Sequence, residues 1–149
     1  MPTNRWGPPT WKFIHTIIVK IKEEHFERIL PQLYVFIVRI CTFLPCPECS
    51  QHATAFLREV NIKNIKSKDD LAKIFFVLHN MVNKRLGKPQ FIDKNLHYYG
   101  SLSLINTYNQ FSQNYHTHGN MSMITDSFHR RMIQRDLKQW IMANYGFFE

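Results

Sequence analysis

The chain has 149 residues, 44% hydrophobic and 20% charged, which is material for one core and excludes a compositionally disordered protein. Lys and Arg outnumber Asp and Glu by 19 to 11, and the resulting net charge of +8 raises nucleic acid as a partner. Glycines number only 5, and no G-x-G-x-x-G or G-x-x-x-x-G-K occurs, which argues against the usual glycine-rich phosphate cradles.

The predicted elements are helical. Pro8 and Pro9 suit a first turn, and Trp11, Ile14, His15, Ile18 and Ile21 recur at helical spacing, which predicts a helix over 8–22. A second is predicted over 31–43, opened by Pro31, with Leu33, Phe36, Ile37, Ile40 and Cys41 on one face and Pro45 ending it. Pro47 restarts a short third helix to about residue 60, marked by Cys49, His52, Ala53, Phe56 and Leu57. A polar, lysine-rich connector follows over 61–68. The fourth helix is the best signalled: Ser67 and Asp70 form an S-x-x-D cap, Leu71, Phe75, Leu78, Val82 and Leu86 keep the period, and Gly87 with Pro89 supplies a stop.

Short helices are expected after Phe91, strand-like alternation is weak, and the fold class read from this is all-α, a compact bundle of four helices. The expected organisation is a domain over 1–110 and a C-terminal extension over 111–149. In that extension 113–125, with His116, His118, Gly119 and Asn120, reads as a linker, and 126–144 as an amphipathic helix. Phe128, Met132, Leu137, Trp140 and Ile141 are placed on its apolar side, with Arg130, Arg131, Arg135 and Lys138 elsewhere. That helix is expected to dock on the bundle, close a dimer or receive a partner. The segment 1–9 is polar, and apolar runs such as 33–40, broken by Arg39, are too short to span a bilayer, so the expectation is a soluble, intracellular protein that is not secreted.

Three cysteines exclude a disulfide-scaffolded module, and Cys41, Cys46 and Cys49 all fall within nine residues. Cys46-Pro47-Glu48-Cys49 at a helix start favours a thiolate and fits a redox pair. Spacing alone leaves two alternatives open. The pair could be half of a zinc site completed by His52 and by His15 or His79 in a helical interaction module, or two thiols without a role. Trp6, Trp11 and His15 could wall a planar ring or plug the core. His79, Asn83 and Leu86 share a face that suits a heterocycle, and Arg85 and Lys88 near the helix end could meet phosphates or simply be solvated. Cys41, on the apolar face of the second helix, reads as a buried free thiol.

Taken together, W-G-P-x-x-W-x-x-x-H, then L-P-C-P-x-C-x-x-H, then H-N-x-V-N-x-x-L-G-K-P resembles the Erv/ALR family of FAD-linked sulfhydryl oxidases over roughly residues 4–99, with His79 thirty residues after Cys49. The block L-P-C-P-E-C-S-Q-H-A is most similar to the compact versions of large cytoplasmic DNA viruses such as poxviruses and asfarviruses. The resemblance implies a four-helix bundle with a short fifth helix, a homodimer, and FAD at the bundle mouth.

Trp11 and His15 would then line the flavin site, and Cys49 would lie against its ring system. His79, Asn80, Val82, Asn83, Leu86 and Lys88 would hold the adenosine and phosphate parts, with Arg5, Gly7, Thr10 and Arg85 as further members and His52 shaping the cysteine site. Two departures stand out. No cysteine follows Cys49, so the family's shuttle pair and structural disulfide have no counterpart here, and Tyr98 or Tyr99 stands in for a missing tryptophan.

The implied activity is a thiol oxidase. A dithiol protein, a small redox carrier, would attack Cys46, and electrons would pass through Cys49 and FAD to molecular oxygen, giving hydrogen peroxide. Partners exclude nucleic acid and membrane, and the implied location is a host cytoplasm or viral factory, with a virion as a further place. Over 61–95 the basic residues exceed the acidic by five, counting Lys63, Lys66, Lys68, Lys73, Lys84, Arg85, Lys88 and Lys94 against Asp69, Asp70 and Asp93. That surplus is expected to compensate an anionic FAD tail.

Overall fold

The computed structural model describes residues 3–90, 95–115 and 124–149. The segment 116–123, with His116, His118, Gly119 and Asn120 of the expected linker, lies outside the described residues, as do Asp93 and Lys94. In chain order the helices are α1 (Thr3–Val19), α2 (Phe26–Thr42), α3 (Pro47–Arg58), α4 (Lys68–Leu86), α5 (Asn95–Gly100), α6 (Leu104–Tyr115) and α7 (Ile124–Ala143). Short 3-10 turns lie at Glu23–His25, Ile62–Asn64 and Tyr145–Phe147. The fold is all-α. Its one extended pairing among the described residues is an isolated antiparallel bridge between Ile21 and Phe148. None of the described helices is long and apolar enough to cross a membrane.

Helix α4 follows its sequence signals closely. The Ser67 hydroxyl accepts from the Asp70 amide at 3.1 Å, and the Asp70 carboxylate accepts from the Lys66 amide at 2.9 Å. Gly87 stops the helix at φ 69°, a left-handed conformation, which lets the Lys88 amide reach back to the Asn83 carbonyl at 2.8 Å. Ser67→Ala is expected to cost about 1 kcal/mol and Gly87→Ala about 1 to 2 kcal/mol, both read from denaturant unfolding.

The prolines mark helix starts less well. Helix α1 begins at Thr3, five residues before Pro8, and α2 begins at Phe26, five before Pro31. A proline breaks only the bond its own N–H would make, to the residue four earlier. Here those residues, such as exposed Arg5 and Glu27, lie in the opening turn. In α1 the Thr10 hydroxyl donates to the Trp6 carbonyl at 2.6 Å, tying the turn across both prolines.

Phe13, Ile14, Ile17 and Ile18 of α1 meet Leu33, Ile37 and Ile40 of α2, Leu71, Phe75 and Leu78 of α4, and Leu104, Phe111 and Tyr115 of α6 in one core. Ile133, Leu137 and Ile141 of α7 belong to that core too, and α6 continues across residue 110. Helix α7 turns a different face inward from the one its apolar residues predict. Phe128 is 58% exposed, whereas Arg130 is wholly buried. The inward comb is Ser127, Arg130, Ile133, Leu137 and Ile141, and the Arg130 guanidinium tolerates it because it donates to the Phe43 carbonyl at 3.2 Å.

Candidate active site

Cys46 is the N-cap of α3 and Pro47 its first residue, a position where a missing N–H costs nothing. Cys46 and Cys49 form a disulfide, with Cα atoms 5.2 Å apart. The Cys49 amide donates to the Cys46 sulfur at 3.2 Å, and the Ser50 amide to the Cys46 carbonyl at 3.0 Å. The Ser50 bond is the first regular one of the helix, whereas the Cys49 amide is one that a helix start leaves without a backbone partner, so the same contact would stabilise a Cys46 thiolate.

Cys49 lines a cleft of ≈ 290 Å³ between α1, α3, α4 and α5. From α1 come Gly7, Thr10 and Trp11, from α4 His79, Val82, Asn83 and Leu86, then Lys88, and from α5 Tyr99. Trp11 and His79 stack at 4.2 Å with planes 7° apart, giving one flat aromatic face. Behind it His15 meets His79, Nε2 to Nδ1, at 3.0 Å, and its ring lies 5.0 Å from Tyr99. Burial pulls the His15 pKa down to about 3, with His79 adding to the effect. Burial likewise lowers His79 to about 4, helped by Lys88. Both rings are therefore neutral near pH 7, and their hydrogen bond is one neutral imidazole donating to the other.

Tyr99, 8% exposed, is the tyrosine that reaches the cleft, whereas Tyr98 is 52% exposed and does not line it. Five expected members lie elsewhere. Arg5 is exposed, His15 sits behind His79, and Asn80 is half-buried off the lining. Arg85 donates to Glu48 at 3.0 Å, and exposed His52 approaches the same carboxylate at 3.8 Å. Those two border a second cleft between α3 and α4, with Phe56 and Met81.

The basic surplus is also dispersed. Lys68 Nζ donates to the Val19 and Ile21 carbonyls, closing the end of α1, and Lys73 pairs with Asp69. Of that surplus among the described residues, Lys88 alone lines the first cleft, joined there by Lys12 of α1.

Sequence reasoning passed over Lys12, Cys41, Leu44, Ala53 and Leu78 as lining residues. Ala53 was discoverable, four residues after Cys49 on the same helix face. Cys41 and Leu44 carry no local signal, because the end of α2 reaches the cleft only through tertiary packing. Cys41 is a buried free thiol whose pKa burial pushes up to about 12, so it stays protonated.

The zinc alternative finds no ligand set. Cys46 and Cys49 are bonded to each other, His15 to His79, and among the described residues no group of three His, Cys, Asp or Glu side chains converges.

Fold and site together define an all-helical protein with a C-x-x-C disulfide set in the wall of an aromatic cleft. The chain belongs to the Erv1/Alr family, whose model matches residues 8–100. It is similar to the putative FAD-linked sulfhydryl oxidase 347L of Invertebrate iridescent virus 6, 32% identical over 90 residues covering 56% of this chain and 81% of that protein. The probable FAD-linked sulfhydryl oxidase FPV093 of Fowlpox virus (strain NVSL) is 33% identical over 90 residues, covering 60% of this chain and 87% of that one. The mitochondrial FAD-linked sulfhydryl oxidase ERV1 of Saccharomyces cerevisiae is 25% identical over 85 residues, covering 57% and 44%. No solved structure matches the chain. The viral matches fit the compact form expected from the L-P-C-P-E-C block.

Proposed function

We propose that this chain is an FAD-dependent sulfhydryl oxidase that forms disulfides in protein dithiols through Cys46 and Cys49 and delivers the electrons to oxygen as hydrogen peroxide. One observation carries this reading: Cys49, half of a disulfide at a helix N-terminus, lines the same cleft as the stacked Trp11 and His79 rings.

The residues present fit a flavin. The Trp6 indole N–H is buried and has no hydrogen-bond partner, so the cleft holds a donor that a ligand carbonyl or ring nitrogen would satisfy. A Cβ built at Gly7 meets no atom within 4 Å, so the space beside that backbone is open. The cleft takes a planar ring against Trp11 and His79, and Asn83, Leu86 and Lys88 extend the site along α4 for the rest of a dinucleotide. Lys12 and Lys88 supply positive charge for its phosphates.

The chain's own part is thiol–disulfide exchange. A substrate thiolate attacks the Cys46 sulfur, the Cys46–Cys49 bond breaks, and Cys49 leaves as a thiolate into the cleft. The second substrate thiolate attacks the mixed disulfide and displaces Cys46, whose thiolate is held by the Cys49 amide and the α3 N-terminus. The substrate is then a disulfide, and Cys46 and Cys49 carry its two electrons. FAD held along Trp11, His79, Asn83 and Lys88 would supply the two-electron acceptor needed for the Cys46–Cys49 disulfide to re-form, with oxygen as the final acceptor. Neutral His15 and His79 keep uncompensated positive charge away from the ring site. Within these 149 residues no cysteine follows Cys49, and the dithiol in this reading belongs to a small protein with its own cysteine pair.

The purified protein is expected to be yellow, with a band at about 450 nm and on the order of one FAD released per chain. A colourless protein that does not take up added FAD would overturn the reading.

A further inference from the structure

We infer that Arg130, on a helix beyond the region matched by the family, is a positioning residue of the redox centre. This rests on the reading of Cys46 and Cys49 as the working pair. Between the end of α2 at Thr42 and Cys46 lie only Phe43, Leu44 and Pro45. The last carbonyls of a helix lack regular i+4 donors; at this end of α2 the Phe43 amide turns back to the Ile40 carbonyl at 3.2 Å, and two side chains from the C-terminal helices add further donors. The Tyr115 hydroxyl of α6 donates to the Ile40 carbonyl at 3.1 Å, and Arg130 Nη1 of α7 donates to the Phe43 carbonyl at 3.2 Å. The cation also complements the negative end of the α2 dipole.

Further contacts hold the same corner. The Phe43 ring stacks on His129 at 4.5 Å with planes 15° apart, and Arg39 of α2 pairs with Asp136 of α7 at 3.1 Å. From the other side the Leu44 amide donates to the Ser50 hydroxyl at 2.9 Å. Phe43 is thus held at its carbonyl and its ring, Leu44 at its amide, and Pro45 has its φ set by its own ring. Little freedom remains before Cys46. The Leu44 side chain lines the cleft with Cys49, so the corner places both a sulfur and part of the ring site.

Arg130 reaches this place fully buried, with Asp126 and Tyr115 as electrostatic neighbours. A guanidinium taken out of water is costly unless its donors are used, which makes a replacement of matched volume informative. Packing alone is served by methionine, whereas holding the Phe43 carbonyl is not.

The consequence concerns the reduced state. A corner that stays fixed after the disulfide opens keeps Cys46 beside Cys49, and this closeness favours re-forming the bond. Releasing the corner lets the two thiols separate and makes the disulfide easier to reduce.

The test uses the full chain as purified, equilibrated without oxygen in dithiothreitol or glutathione redox buffers, with Cys46 and Cys49 read by alkylation and mass. Arg130→Met is expected to shift the equilibrium toward the dithiol by about tenfold, and Arg130→Lys, which keeps a charged donor, to restore most of the wild-type value. Melting is measured alongside. An equilibrium within about twofold of wild type in folded Arg130→Met, whatever its melting temperature, overturns the inference, as does a shift toward the disulfide. If Arg130→Met does not fold, Tyr115→Phe removes only the hydroxyl from the Ile40 carbonyl and decides in the same way, with a shift of about threefold expected. This equilibrium is independent of turnover. Failure of the oxidase reading shows instead as wild-type protein that does not oxidise dithiols.

Discussion

Cys49→Ser is expected to lower oxygen-dependent oxidation of dithiothreitol to below about a thousandth of the wild-type rate while FAD binding survives. Serine nearly keeps the size of the side chain and keeps the backbone N–H that the Cys46 sulfur caps, so α3 retains its start. What is lost is the sulfur in the cleft wall, and with it any closed disulfide. Cys46→Ser is expected to be as inactive for a different reason. Serine is a good N-cap, so the helix start persists, but the sulfur that a substrate thiolate would attack is gone. Oxygen uptake and free-thiol loss measure the rate, and the absorbance of released FAD measures binding. Substantial turnover in Cys49→Ser would remove Cys49 from the assigned role, and loss of FAD in both variants would assign the cysteines to the cofactor site's structure instead.

Acid is expected to destabilise the FAD-free protein steeply through His15 and His79. In the folded state their pKa values lie at about 3 and about 4, against 6.5 for an unperturbed histidine. Between roughly pH 6.5 and 4 the unfolded chain therefore binds protons that the folded chain does not, so stability is intact above that window and falls as pH drops through it. Each histidine contributes up to about 1.4 kcal/mol per pH unit there. His15 is fully buried and approaches that slope, and half-buried His79 contributes less. Below about pH 3 both states are protonated and this source adds no further loss. Urea unfolding at several pH values measures the slope. His79→Phe, which retains a ring against Trp11, is expected to flatten it, and an unchanged slope would contradict the assignment.

What the sequence made legible depended on how local the cause was. Ser67, Asp70 and Gly87 act within one turn of α4, and the helix ends where they place it. Pro8 and Pro31 are local signals as well, but a proline is compatible with any point in the opening turns and fixes no start. Trp11, His79 and Cys49 were legible because resemblance joins three distant blocks, and they line one cleft. Arg85 and His52 carried the same kind of expectation, and both lie beside the Glu48 carboxylate, outside the lining of that cleft.

The least legible contact is Arg130 with the Phe43 carbonyl, 87 residues apart in the chain. Helical periodicity ranks Phe128 above Arg130 for burial, because it scores side chains by polarity and has no knowledge of a carbonyl waiting across the interface. Of the three roles expected for the C-terminal helix, docking on the bundle is what Ile133, Leu137 and Ile141 do, completing the core beside α2, but through a face that its polarity pattern only partly marks.

The most direct measurement of the central claim is anaerobic titration of the FAD-loaded protein with dithiothreitol, followed in visible light. Thiol oxidation through Cys46 and Cys49 predicts bleaching of the band at about 450 nm on addition of dithiol, its return with hydrogen peroxide when air is admitted, and no bleaching in Cys49→Ser. A wild-type flavin that stays oxidised while Cys46 and Cys49 become reduced would contradict it.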